Sequence, residues 1–323
     1  MKIKTVVAIT AALFAVTGVV RAQTYPTKPI TIVVPYAAGG NVDTAARVLQ
    51  AALGNSLGQP VIIENRAGAG GIIAGEYVAK APPDGHTVFI GSNGNVMLGP
   101  MTMAKPPYKW DQVFKPVSMV SVATNVLTVR TSLPVKTIPE LVAYAKQSPG
   151  RLTLGNSGGA SINHFMGELF RLKAGITWTE VAYRGNAPAV NDLVAGHVDM
   201  GIQQLVETLG HIQAGKLRAL AVLGPERSPA VPDVPTMAES GFPDVKGETW
   251  NGLFVPKGTP AHIVAKLSEA TRAALATPMA REKLEALGSQ ARGNTPEEFR
   301  AYLEADYAKW FAVMKDPNIK VVP

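Results

Sequence analysis

The chain has 323 residues, 46% of them apolar and 17% charged, with a formal charge of +7. That size and balance allow two domains, or one large one, with an ample core. The absence of cysteine excludes disulfides, thiolate metal sites and cysteine nucleophiles.

The N-terminus carries Lys2 and Lys4, then an apolar stretch over residues 5–20, then Val20-Arg21-Ala22 with small residues at a cleavage point. This predicts a signal peptide over 1–22 and a mature chain from about Gln23. A membrane anchor is the competing reading, for which the segment is short. Loss of Lys2, Lys4 and Arg21 takes the formal charge from +7 to +4, a mildly basic balance consistent with an anionic ligand.

Residues 30–34, Ile-Thr-Ile-Val-Val, are a β-branched run that predicts a buried strand. Pro35 ends its ladder because it has no N–H to donate. Gly39-Gly40 permits backbone angles that other residues resist. Asn41 to Asp43 offer N-cap chemistry for a helix whose apolar positions Ala45, Val48, Leu49, Ala52 and Leu53 follow helical spacing. Strand, glycine turn and helix N-terminus make a site for a small anion, because free N–H groups and the positive dipole end face whatever lies above the turn. The same stretch also reads as a plain βα connection.

Residues 60–64 predict a second strand. The turn at 65–71 is close to a dinucleotide fingerprint, but Ile73 stands where the third glycine would fall, which favours a helix-packing turn. Pro82-Pro83-Asp84-Gly85 is a turn. Residues 87–90 predict a third strand ending in Gly91-Ser92-Asn93-Gly94-Asn95, small polar groups at a strand's C-terminal end, where α/β sheets place their ligands. Residues 117–130 are nearly continuous in β-formers, more than one sheet needs, and predict a crossing between domains. Thr137-Ile138-Pro139-Glu140 is a capping box opening a helix.

A strand at 151–154 leads into a glycine turn over 155–161 and a helix through Phe165, Leu169 and Phe170, which repeats the opening design. Another strand at 180–183 precedes Arg184-Gly185-Asn186-Ala187-Pro188, with Pro188 suited to the first helical turn. Three helix N-termini behind small-residue turns, the first far in sequence from the others, predict a cleft between two α/β lobes. A strand at 197–202 ends at Gln203-Gln204, and 217–223 is a second long β-run, a candidate return crossing. Two crossings divide the chain into lobe 1 over 23–124, lobe 2 over 125–222, and a completion of lobe 1 over 223–323. Thr259-Pro260 opens one C-terminal helix. A capping box, Thr295-Pro296-Glu297-Glu298, opens another, expected to pack on the first lobe through Trp310 and Phe311.

His86, His164, His197, His211 and His262 form no H-x-x-x-H or H-E-x-x-H pair, so no metal is expected, and no cofactor motif stands. No basic run or aromatic–basic interleaving suggests nucleic acid. Gly155-Asn156-Ser157-Gly158-Gly159 fits the G-x-S-x-G of hydrolases, and Asp192 or Asp199 with His211 or His262 would satisfy the chain order of a triad. An anion cradle explains the same turn equally well.

Several segments together resemble one family: 35–47, 58–71, Pro82-Pro83-Asp84-Gly85, Tyr183-Arg184-Gly185 with Pro188 and Asp192-Leu193, 215–222, and Pro232-Asp233-Val234-Pro235-Thr236. Over almost the whole mature chain they resemble the periplasmic solute-binding receptors of tripartite tricarboxylate transporters, the Bug family. The resemblance implies a two-lobed, Venus-flytrap α/β fold that closes on a small carboxylate in the periplasm, without catalysis. It implies delivery to a membrane permease by a monomeric receptor; a ligand-loaded partner of a membrane sensor is the alternative. By the family pattern Tyr36, Ala38, Gly39, Gly40 and Asp43 hold a carboxylate from one lobe, and Ser157, Gly158, Ser161 and His164 from the other. Arg184, Gly185, Asn186 and Ala187 form a further wall, and Asn93 and Trp250 line the cleft. Arg184 stands where lysine is common, Asn156 replaces a serine and His86 a tyrosine. Gln203 stands where many members carry aspartate, which argues against a ligand ammonium there. Di- or tricarboxylates and aromatic carboxylates are the candidate ligands.

Overall fold

The computed structural model describes residues 25–156, 161–183, 185–286, 288–317 and 319. The expected signal peptide lies outside them. The chain runs β1 (Ile30–Val34), α1 (Asn41–Leu57), β2 (Val61–Asn65), α2 (Ile72–Ala79), β3 (Thr87–Ser92), the short helices α3 (Gly99–Thr102) and α4 (Trp110–Val113), and the long strand β4 (Phe114–Arg130). It continues through α5 (Ile138–Gln147), β5 (Thr153–Asn156), α6 (Ile162–Ala174), β6 (Thr179–Ala182), α7 (Asn186–Ala195), β7 (Met200–Gln204), α8 (Leu205–Gln213) and β8 (Leu217–Val222). β9 (Glu248–Pro256), α9 (Ala261–Ala276), α10 (Pro278–Glu285), β10 (Ser289–Ala291) and α11 (Pro296–Met314) complete it.

β4 has 17 residues, about three times a usual strand, and it serves two sheets. Up to Thr124 it pairs with β9, which continues the sheet to β3, β1 and β2. From Asn125 it pairs with β7 and β8, and β7 leads on to β5 and β6. Helices cover each sheet. Ile32, Leu49, Leu253 and Leu267 belong to a core of the first lobe, and Leu127, Phe165, Phe170 and Ile202 to that of the second.

Two expectations need correction. The run at 217–223 is not the return crossing, because β8 pairs with β4 over Val126–Arg130, inside the second lobe. The chain returns through residues 223–247, and Glu248 at the start of β9 pairs with Thr124, where β4 changes sheets. Nor do Trp310 and Phe311 fasten α11 to the first lobe. Trp310 is buried against Phe165 of the second lobe, with ring centroids 5.9 Å apart, while Phe311 is 43% exposed. Phe299 and Leu303, about three and two turns earlier on α11, pack in the first lobe with Trp250 and Phe254. α11 therefore straps the lobes together.

The glycine turn at 65–71 serves packing. Gly71 has φ +94°, and a Cβ there would stand 2.8 Å from the Pro35 Cβ and 2.9 Å from that of Asn95. Only glycine lets this turn lie against the β1–α1 connection and the end of β3.

Candidate functional site

Four helices of eight or more residues begin at one cavity between the lobes: α1 from the first lobe, α6, α7 and α8 from the second. Gly40, Ser161, Gly185 and Gln204 are their N-caps, and each lines the cavity. The cavity encloses about 90 Å³, well above the roughly 10–15 Å³ that one water requires. The first N–H groups of a helix have no partner within it, so the site gathers donors and positive dipole ends from both lobes.

Of the residues expected at the site, Tyr36, Ala38, Gly40, Asn93, Ser161, Gly185, Asn186 and Ala187 line this cavity. The Tyr36 phenol accepts from Asn95 Nδ2 at 3.1 Å and faces the Gly70 carbonyl at 3.3 Å. Burial pushes its pKa up. Asn93 Nδ2 donates to the Glu248 carbonyl at 2.9 Å, which ties β3 to the start of β9. Ser161 caps α6, its Oγ accepting from His164 N–H at 3.2 Å. Ser157, Gly158 and Arg184 lie outside the described residues.

Gly39, Asp43, His164, Gln203 and Trp250 do not line it. Asp43 instead fastens the turn: Oδ2 accepts from Gly39 N–H at 2.9 Å and Arg47 Nε at 2.8 Å, and Oδ1 accepts from Asn65 Nδ2 at 2.9 Å. Burial pushes its carboxyl up, but these three donors outweigh it and hold the pKa below the usual range. His164 is buried, with Nδ1 3.6 Å from the Glu180 carboxylate, and its neighbour Asn163 faces the cavity. His164, Glu168 and Glu180 bring potential ligand atoms within 4.8 Å of one another. Glu168 is, however, paired with Arg171 at 2.7 Å, and Glu180 accepts from Asn156 at 3.0 Å, so these carboxylates already have partners.

Gln203 and Trp250 are each displaced by one residue from the position that meets the cavity. Successive strand residues face opposite sides, so Gln204 and Thr249 point in, and Gln204 Nε2 donates to Thr249 Oγ1 at 2.8 Å. Gln203 lies over Gly201, accepts from Thr128 Oγ1 at 3.2 Å and donates to the Gly155 carbonyl at 3.3 Å. Gln203, turned away from the cavity, does not bear on whether a ligand carries an ammonium. Trp250 is fully buried against Phe254 and Phe299, with Nε1 donating to Asp306 Oδ2 at 2.8 Å.

Sequence reasoning missed Glu207, in the first turn of α8. It lines the cavity, and its Oε1 would stand 3.7 Å from a Cβ on Gly40 of the opposite lobe. Its Oε2 is buried with no hydrogen-bond partner, as are Asn93 Oδ1 and Asn186 Oδ1. Burial raises the Glu207 pKa to about 7 against the opposing pull of the Asn186 side chain and the Asn41 and Gln204 backbone N–H groups. A carboxyl with a raised folded pKa stabilises the fold below its unfolded pKa. That contribution is lost as pH rises from about 4.5 through about 7. Glu207→Gln should therefore gain stability relative to wild type between pH 5 and pH 8, by at most about 3 kcal/mol and less where solvent screens the group. Thermal melts of both proteins at the two pH values measure it; parallel melting curves would refute the shift.

Two α/β lobes joined by a shared strand, with helix N-termini from both converging on the cavity between them, define a periplasmic-binding-protein fold. A sequence model described as "Tripartite tricarboxylate transporter family receptor" matches residues 45–319. A solved structure described as a periplasmic transporter superposes with a TM-score of 0.89 at 38% identity, covering 92% of this chain and 100% of that one. Rpa4515 of R. palustris with adipate matches at TM-score 0.87 and 36% identity over 90% and 97% of the two chains. MatC of Rhodopseudomonas palustris with bound malate matches at 0.85 and 34% over 90% and 100%. The chain belongs to the tripartite tricarboxylate transporter receptor family, the Bug receptors. Members are periplasmic solute-binding proteins and not enzymes, which removes the hydrolase reading of the turn at 155–159.

Proposed function

We propose that this protein captures a small carboxylate between its lobes, after export by its N-terminal signal peptide, and delivers it to a tripartite membrane permease. The observation that carries the reading is the meeting of four helix N-termini at one interlobe cavity. Each N-terminus is worth about 0.3–1 kcal/mol toward an anion, up to ~2 when partly buried. Micromolar binding requires about 8 kcal/mol. The balance comes from charge-assisted hydrogen bonds, at roughly 1.5–3 kcal/mol each, to backbone N–H groups and to side chains such as Asn93, Ser161 and Asn186. Adipate and malate, bound by relatives of the same fold, make a dicarboxylate the first choice of ligand.

A thermal-shift screen of adipate, malate, citrate and benzoate tests this. A ligand at a hundred times its Kd stabilises the fold by about 2.7 kcal/mol, enough for a shift of several degrees. A melting temperature unmoved by every acid at millimolar concentration would sink the carboxylate reading.

A further inference from the structure

Glu207 puts a carboxylate inside a site built for one. It reaches from α8 toward the start of α1 on the other lobe, where its Oε1 lies 3.7 Å from the position of a Gly40 Cβ. The Asn41 backbone N–H and the Asn186 side chain, both at the cavity, favour its charged form. Its other oxygen, Oε2, is buried without a donor. Among the described lining residues no lysine, arginine or histidine offsets this charge. An ionised Glu207 and a ligand carboxylate would thus compete for the same helix N-terminus and repel each other at close range, and like carboxylates sharing one site retain a proton between them.

Resting on the carboxylate reading above, we infer that Glu207 is a proton-coupled gate of the ligand site: an anionic ligand enters together with one proton from solvent, which Glu207 takes up. The neutral carboxyl then vacates the anion's place at α1 and turns its O–H into a donor for the ligand or for Asn186 Oδ1. The charge balance follows. An ionised site plus a ligand anion plus one proton gives a complex no more negative than the ligand alone.

Among the described residues, no other ionisable group near the cavity accounts for such a coupling. Tyr36 on the β1–α1 connection is a phenol whose pKa moves upward, away from neutrality. On α1, Asp43 is paired with Arg47. On α6, His164 stands beside Glu180, and on α7, Asp192 is bonded to Tyr183 and paired with His197. His211 lies one turn further along α8, outside the cavity lining.

Calorimetric titration with adipate and with malate, between pH 6.5 and pH 9, tests the inference on the full-length protein. The dicarboxylates are ionised throughout this range. Burial lifts the Glu207 carboxyl to about 7, so wild-type affinity should fall about tenfold by pH 8 and about tenfold again by pH 9. Titrations in buffers of different ionisation enthalpy should report uptake of one proton at pH 8. Glu207→Gln, neutral and nearly isosteric, should bind with a pH-independent Kd and hold the ligand tighter than wild type at pH 9. A wild-type Kd constant across the range, or the same pH slope in the variant, overturns the gate. So does loss of binding in Glu207→Gln at every pH, which would mean that an ionised Glu207 holds a ligand cation. No binding of any carboxylate by either protein at any pH would instead remove the receptor reading on which the gate rests.

Discussion

Gly40→Asp is expected to lose at least a hundredfold in carboxylate affinity while folding normally. Gly40 is the N-cap of α1 with φ −81° and ψ 174°, extended backbone open to any residue, and it makes no side-chain cap. A Cβ there meets nothing closer than Glu207 Oε1 at 3.7 Å. Aspartate is a preferred N-cap, a few tenths of a kcal/mol better than glycine, but here it faces the Glu207 carboxylate, whose repulsion offsets that gain, so the variant should melt at or slightly below the wild-type temperature. Its carboxylate would occupy the N–H groups of Val42 and Asp43, which the proposed ligand uses, and would repel any anion between the lobes. Removing two charge-assisted bonds costs about 3–6 kcal/mol. Gly40→Ser separates the two effects, because its hydroxyl caps the helix without adding charge and should lose less. Calorimetry with the strongest ligand of the carboxylate screen measures both variants. An unchanged Kd in Gly40→Asp would place the anion away from α1.

What the sequence displayed, and what it hid, follows from the period of each element. The βα turns were visible because glycine and N-cap residues mark them, and Gly40, Ser161 and Gly185 do cap α1, α6 and α7. The crossing was visible as well, since β4 keeps β-forming residues over 17 positions. The errors at Gln203 and Trp250 are each one residue wide, and a one-residue slip along a strand turns a side chain to the other face. Nothing local distinguishes Gln203 from Gln204. The α8 N-terminus carries no turn signal because Gln204 is both the last residue of β7 and the cap of α8. Glu207 looks like any acidic residue in a first helical turn, and only the approach of Gly40 from the far lobe makes it part of a site. Asp43 shows the reverse case: its N-terminal position was legible, but its bonds to Gly39, Arg47 and Asn65 required the folded turn.

Trp310→Ala should lower stability by about 3–5 kcal/mol, the usual cost of emptying a buried aromatic site. The sequence marks Trp310 and the adjacent Phe311 alike as packing residues, and shows neither which of them is buried nor which lobe receives it. The indole is 1% exposed, packs edge-on against Phe165, and donates from Nε1 to Asp306 Oδ1 at 2.9 Å. The other oxygen of Asp306 accepts from Trp250, which stands on β9 in the first lobe. One carboxylate is thus held by two indoles, one in each lobe's packing. Burial raises the Asp306 pKa, and the two indole donors oppose that rise. Truncating Trp310 removes one donor and leaves a cavity beside Phe165, so the C-terminal half of α11 should also exchange its amide hydrogens faster than the half anchored by Phe299 and Leu303. Phe311→Ala, one residue on but exposed, is the control and should cost under about 1 kcal/mol. Urea denaturation of the three proteins compares them. A loss below 1 kcal/mol in Trp310→Ala, or equal protection along α11, would contradict its role as a strap between the lobes.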